Sequence, residues 1–163
     1  GKDILKQQGD CVADYRILVK YKNDIFDAEA ERIKKDIFNL DIKKNVSVKI
    51  AQIYEISSKI SFDEIRDICN NLFVDFLTQQ LFVNFDPSEN NSSVDVYYRT
   101  GVTDSVAETI KLGINDMGIK EFFSIRTGKK YYLGNNLSKQ EIKKIAEKVL
   151  SNTVVQKYEI DGN

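Results

Sequence analysis

The stretch Val94-Asp95-Val96-Tyr97-Tyr98-Arg99-Thr100-Gly101-Val102-Thr103-Asp104 has a counterpart 77 positions earlier, Ile17-Leu18-Val19-Lys20-Tyr21-Lys22-Asn23-Asp24-Ile25-Phe26-Asp27. Each copy alternates apolar side chains on one face, which is typical of a strand, then turns and reaches an aspartate suited to cap a helix. A recurrence at fixed spacing indicates that the structural unit was duplicated.

The same shift of 77 positions aligns the rest of the chain without a gap. Identical pairs include Val19/Val96, Tyr21/Tyr98, Asp27/Asp104, Ala30/Ala107, Glu31/Glu108, Ile33/Ile110, Ile37/Ile114, Ser61/Ser138, Glu64/Glu141 and Ile65/Ile142. We therefore predict two homologous units, residues 15–84 and 92–161. A leader (1–14) precedes them, and a linker (85–91), which holds the only proline, separates them.

Each unit is predicted to contain strand, helix, long strand, helix and short strand. The first helix of unit 1 should span 27–39, with apolar residues spaced three or four apart on one stripe. The long strands should cover 46–56 and 123–133, where alternate positions are apolar. Gly128, aligned with Ala51, interrupts the second long strand, so we expect a bulge or bend there.

The second helix of each unit has the strongest local signal. Ser61-x-x-Glu64 and Ser138-x-x-Glu141 are capping boxes, in which the serine accepts a backbone N–H and the glutamate reaches back. The apolar stripe that follows predicts that Ile68, Leu72 and Phe76 are buried in unit 1, with Ile145 and Val149 in unit 2.

These elements predict an α+β fold with helices on one face of an antiparallel sheet. A unit of about 70 residues is marginal alone, so the two should share a buried surface. The sheet face opposite the helices carries Leu18, Ile53, Tyr97 and Tyr132 and is mixed in polarity. We expect part of it to pack against the sister unit's sheet, making a pseudo-twofold pair.

Composition excludes several classes of function. The net charge of −1, without a block of like charges, argues against binding to nucleic acid or a membrane surface. The absence of histidine excludes Ser-His-Asp and Cys-His catalysis and nearly all zinc sites. Cys11 and Cys69 occupy unrelated places in the two units, which favours a reducing cytoplasm. We predict no catalytic, cofactor-binding or metal-binding residue.

One basic cluster, Arg126-Thr127-Gly128-Lys129-Lys130-Tyr131, contains a glycine that would let the backbone approach an anion. Three interpretations stay open: a contact to a phosphorylated ligand, a contact to a partner chain, or a solvated strand edge. The candidate partner or phosphate contacts are Arg99, Arg126, Lys129 and Lys130.

With these residues located, unit 2 resembles PurS, the small subunit of phosphoribosylformylglycinamidine (FGAM) synthase. The resemblance rests on 94–104, on Ser124-Ile125-Arg126-Thr127-Gly128-Lys129-Lys130-Tyr131 and on residues 150–158. It is fainter over unit 1, where Asn23-Asp24 replaces Thr100-Gly101 and Ala51-Gln52 replaces Gly128-Lys129.

The resemblance implies a non-catalytic structural domain of FGAM synthase in purine biosynthesis. Such a domain joins the ATP-dependent synthetase to the glutamine amidotransferase, and a tandem copy resembles the N-terminal domain of single-chain synthases. The parent ligase would use ATP and Mg, with no cofactor in this segment. The alternative hypothesis is a regulatory α+β module that binds a small molecule between its two units.

Overall fold

The computed structural model describes residues 13–87, 90–121 and 123–161. Unit 1 contains β1 (Ala13–Tyr21), α1 (Ala28–Phe38), β2 (Lys49–Ser58), α2 (Phe62–Ile68) and β3 (Gln79–Val83). Unit 2 contains β4 (Ser93–Tyr98), α3 (Ser105–Asp116), β5 (Phe123–Tyr132), α4 (Lys139–Ile145) and β6 (Gln156–Asp161). The predicted order of elements is confirmed in both units. Of the predicted leader, residues 1–12, Cys11 included, lie outside the described residues.

All six strands form one antiparallel sheet in the order β3-β1-β2-β5-β4-β6. The two units meet where β2 pairs antiparallel with β5, and Gln52 lies directly opposite its own counterpart Lys129. The pseudo-twofold axis therefore passes between these two residues. The α+β pair with helices on one face is confirmed, but the expected packing of one sheet face on the other is wrong. Backbone pairing between the long strands joins the sheets edge to edge instead.

The units also exchange their first helices. The buried Ile33 and Ile37 of α1 belong to a core cluster with Leu133, Ile142 and other residues of unit 2. Conversely, Ile110 and Ile114 of α3 belong to the core cluster of unit 1. Each hydrophobic core is thus built from both units, which is how two segments of marginal size share a buried surface.

The predicted burial in the second helices needs one correction. Beyond Ile68 the helix widens into a π-helical turn, Cys69–Phe73, and unit 2 repeats it at Ala146–Leu150. The wider turn rotates the following side chains around the helix axis. As a result Phe73 is buried in the core, while Leu72 is exposed. Phe76 is exposed because the helix has ended at Val74 and Phe76 lies in the turn that follows. The predicted burial of Leu72 and Phe76 is therefore wrong.

Gly128 does not produce the expected bulge. The β2–β5 pairing continues without interruption through Ile53 and Gly128. A Cβ atom at position 128 would instead lie 2.7 Å from Cδ1 of Tyr97 and 2.7 Å from the Val96 carbonyl oxygen. A glycine is needed because the ring of Tyr97 lies directly over this strand.

Both predicted capping boxes are present, at Ser61 with Glu64 and at Ser138 with Glu141. The second box has an additional partner, because Nζ of Lys44 lies 2.7 Å from Oε1 of Glu141. The hydrogen bond from Lys44, assisted by the Ser138 backbone N–H, lowers the pKa of Glu141 to about 2.

The lowered pKa of Glu141 predicts that its protonation contributes to the loss of stability of the protein in acid. A carboxyl group whose pKa is lowered by folding stabilises the native state above its ordinary pKa, and that stabilisation is lost as the pH falls toward about 2. Glu141→Gln should therefore weaken the dependence of the free energy of unfolding on pH over this range, as measured by urea denaturation. Glu64→Gln is the matched control, because Glu64 has the same capping box but no lysine contact among the described residues. An equal change in both variants would contradict the prediction.

Candidate functional site on the open sheet face

The face of the sheet opposite the helices, called here the open face, carries a row of alternating charges. Arg16 of β1 lies directly opposite Glu55 of β2, which lies directly opposite Arg126 of β5. Nε of Arg16 donates to Glu55 Oε1 at 3.3 Å, and Nε of Arg126 donates to Glu55 Oε2 at 2.8 Å. One carboxylate thus binds two guanidinium groups across the junction of the units.

Tyr97 joins this row to the outer strands. Its ring crosses β5 above Gly128, and its hydroxyl donates to Glu55 Oε1 at 3.1 Å. The guanidinium carbon of Arg126 lies 3.9 Å from the centre of the ring, a cation–π geometry. Burial raises the pKa of Tyr97 to about 12, so the phenol stays protonated and donates this bond at neutral pH.

A second group of charges surrounds Lys130, which is only 2% exposed. Its Nζ lies 3.2 Å from Oδ1 of Asp95 and 3.2 Å from Oδ2 of Asp86. Nη2 of Arg16 donates to the other oxygen of Asp95 at 2.7 Å. Burial raises the pKa of Asp95, and the two cations oppose that rise. Burial also opposes the charge on Arg16, but hydrogen bonding to Tyr97 and the nearby carboxylates raise its pKa above the ordinary value.

The described parts of the connection between the units, 84–87 and 90–92, contact β5 and the residues that follow it. By Asp86 the connection has reached the side chains of β5, because Asp86 accepts a hydrogen bond from the Tyr132 hydroxyl at 3.0 Å and pairs with Lys130. At the far end, Ser92 exchanges backbone hydrogen bonds with Leu133 and Gly134 beyond β5. The open face also contains a buried apolar cluster: Leu18, Ala51, Ile53, Tyr97 and Tyr132.

The four predicted contact residues do not form one cluster. Arg126 and Lys130 lie on the open face, whereas Lys129 points to the helical face and donates to Glu29 Oε1 of α1 at 2.6 Å. Arg99 follows β4 and donates to the Thr153 carbonyl oxygen at 2.9 Å. Successive side chains of β5 point to opposite faces of the sheet, so Lys129 and Lys130 lie on different faces. Because β5 lies inside the sheet, the interpretation of this cluster as a solvated strand edge is wrong.

Comparison with known protein families shows which family the chain belongs to. The model of the family PurS, described as phosphoribosylformylglycinamidine (FGAM) synthase, matches twice, at residues 14–86 and 91–163. The chain belongs to the PurS family. No curated protein matches it. Membership relates the chain to FGAM synthase and purine biosynthesis, and to the protein partners of that complex.

The two PurS units have diverged most clearly on the open face. The counterparts of Lys130, Asp95 and Tyr97 in unit 1 are Ile53, Leu18 and Lys20, and the counterpart of Glu55 in unit 2 is Tyr132. On the helical face, by contrast, pairs such as Val19/Val96 are identical. Arg16, Glu55, Asp95 and Tyr97 were not among the predicted site residues. The sequence signal that could have identified them is a set of alternate strand positions at which one repeat has a charged or tyrosine side chain and the other repeat has a different residue type.

This arrangement is built to hold the PurS pair together. Two ion pairs, Arg16–Asp95 and Arg126–Glu55, cross the unit boundary. Glu55 also pairs with Arg16 inside unit 1, and Asp95 with Lys130 inside unit 2, so the crossing pairs are held in one network. Within residues 13–87, 90–121 and 123–161, no three His, Cys, Asp or Glu side chains converge in a way that would hold a metal ion. In the same ranges, no helix has both the length and the hydropathy of a membrane span.

Proposed function

We propose that this tandem PurS chain is the non-catalytic assembly domain of an FGAM synthase, joining the ATP-dependent synthetase to the glutamine amidotransferase. The observation that carries the proposal is the joined sheet with exchanged helices. It makes two family units one body, whose charged side chains at the junction serve ion pairs rather than a substrate. A domain of this kind positions other modules without taking part in their chemistry.

In this proposal the parent enzyme is a cytoplasmic ligase, and ATP and Mg belong to its synthetase module. The described residues do not fit a metal site of their own. Among the four candidate contacts, Arg99 is exposed, and we assign to it the contact with a partner protein or its phosphate. Arg126 is also exposed, but Glu55 and the ring of Tyr97 hold its guanidinium group. Lys129 and Lys130 remain in ion pairs that stabilise the domain.

The proposal is tested by mixing the chain with purified synthetase and amidotransferase of an FGAM synthase. We expect co-elution in size-exclusion chromatography and no turnover of ATP or glutamine by the chain alone. Arg99→Glu should weaken the complex, whereas Lys22→Glu, at the equivalent position of unit 1, should not. Turnover by the chain alone, or failure to bind either module, would contradict the assembly role. A thermal shift with an amino acid or nucleotide but none with the modules would favour the regulatory alternative.

A further inference from the structure

The two edges of the sheet occupy equivalent places but differ in charge. β6 contains Lys157, Glu159 and Asp161, whereas β3, with the sequence Gln-Gln-Leu-Phe-Val, contains no charged residue and no proline. Charged side chains on an edge strand hinder pairing with another chain, so their absence leaves an edge open to pairing. The β3 edge can therefore pair with a strand of another chain, whereas the charged side chains of β6 hinder such pairing.

Exposed apolar side chains surround the β3 edge. Phe76 is 54% exposed, Leu77 is 85% exposed and Phe85 is 56% exposed. The counterpart of Phe76 in unit 2 is Thr153, and the counterpart of the half-buried Phe82 is Glu159. Because unit 2 folds the same way with polar residues there, the fold itself does not require aromatic rings at 76 and 82. Phe82 packs within its own chain, on the apolar cluster and near Nζ of Lys20, so the exposed Phe76, Leu77 and Phe85 are the side chains that a covering surface would bury.

The backbone of β3 shows which groups face outward. Asn84 N donates to Arg16 O at 2.8 Å, and Lys22 N donates to Thr78 O at 2.9 Å. In an antiparallel pair the backbone N–H and C=O groups of every second residue point to the same neighbouring strand, so those of Gln80 and Phe82 also form hydrogen bonds with β1. The backbone groups of Gln79, Leu81 and Val83 then point away from the sheet, although Gln79 N donates to Asp75 O.

We propose that β3 pairs antiparallel with β3 of a second copy of this chain, about a twofold axis at Leu81. The two Leu81 residues then exchange backbone hydrogen bonds, and each Val83 N–H meets a Gln79 carbonyl oxygen of the other copy. Exposed Leu77 lies in the turn before the strand, and exposed Phe85 follows Asn84, which has a positive φ of 54°, so both lie just outside the paired residues. The strand contains no charge, so no like-charge repulsion opposes the pairing, and the sheet continues through both copies.

This register places Gln80 of one copy directly opposite Phe82 of the other, which gives a charge test. The double variant Gln80→Lys/Phe82→Lys puts lysines opposite each other across the axis, whereas Gln80→Lys/Phe82→Glu puts lysine opposite glutamate. We expect sedimentation equilibrium to give about twice 18.7 kDa for the native chain and for the lysine–glutamate variant. Dimerisation of the lysine–lysine variant should be at least about tenfold weaker, a difference of ~1.4 kcal/mol.

Glu159→Lys is the matched control, because it creates the same two-lysine pattern on the β6 edge beside Lys157. It should leave the dimer intact. A second measurement does not depend on variants that fold: amide exchange of Leu81 and Val83 in the native chain should slow as protein concentration rises. A native monomer throughout the concentration range, or equal dimerisation of the two double variants, would overturn the proposal. The proposal is independent of binding to synthetase modules, which the mixing experiment tests separately.

Discussion

Lys130→Ile should lower the free energy of unfolding by about 3 kcal/mol, the scale for removing one partner of a buried ion pair. Isoleucine is the residue at the equivalent position of unit 1, Ile53, where it is fully buried, so the shape itself suits the fold. The loss comes from charge, because Asp95 and Asp86 both lose their ion pair with Lys130, and Asp95 keeps Arg16 as its cation. Urea denaturation followed by circular dichroism measures it.

A double variant separates charge from packing. Asp95→Leu/Lys130→Ile copies the Leu18 and Ile53 of unit 1 onto unit 2, and it should recover part of the stability that Lys130→Ile loses. Recovery is not complete, because the Lys130–Asp86 and Arg16–Asp95 pairs are absent in the double variant. Burial already raises the pKa of Asp95. In the single variant the deficit should therefore shrink as the pH falls through that pKa, because a protonated Asp95 does not need a cation. A double variant less stable than the single one would refute this account.

Gly128→Ala should lower the free energy of unfolding by about 2 kcal/mol, as overpacking in a filled site does. The added methyl would lie 2.7 Å from Cδ1 of Tyr97, so the ring must leave its place and its hydrogen bond to Glu55. Thermal unfolding measures the loss. The loss should be smaller when Tyr97 is already lysine, because unit 1 accommodates Ala51 beside Lys20.

Ala51→Gly provides the matched control for that cycle. It removes a methyl at the equivalent position and should lower the free energy of unfolding by only about 0.5–1 kcal/mol, through the flexibility of glycine in a strand. A Gly128→Ala variant as stable as the native chain would contradict the explanation that the ring of Tyr97 leaves no room for a Cβ atom at position 128.

The duplication made most of the fold predictable. Strand alternation and repeated capping boxes located the elements, because both are local signals that occur twice. The edge-to-edge joining through β2 and β5 was not predictable in this way. Apolar residues such as Leu18 and Ile53 on the second face suggested a stacked sheet, whereas the structure buries them within a single sheet beneath charged side chains and the connection at Asp86.

The candidate site was less predictable than the fold. The basic cluster at 126–130 was visible in the sequence, but its partners Glu55, Asp95 and Asp86 are distant along the chain. Ion pairs across strands depend on register, and register between the two units depends on long-range pairing that no local pattern specifies. The π-helical turn moved Phe73 inward in place of Leu72 for a similar reason, since a helical stripe assumes a uniform turn.

The exchange of α1 and α3 has a consequence for synthesis on the ribosome. When residues up to Val83 have emerged, strands β1 to β3 and helix α2 are available, but α3, the second helix that covers these strands, has not yet been made. Meanwhile α1 has no surface to cover until β4 and β5 follow. Neither hydrophobic core closes before the second half of the chain arrives, so folding is expected to be one late, cooperative event rather than two successive ones.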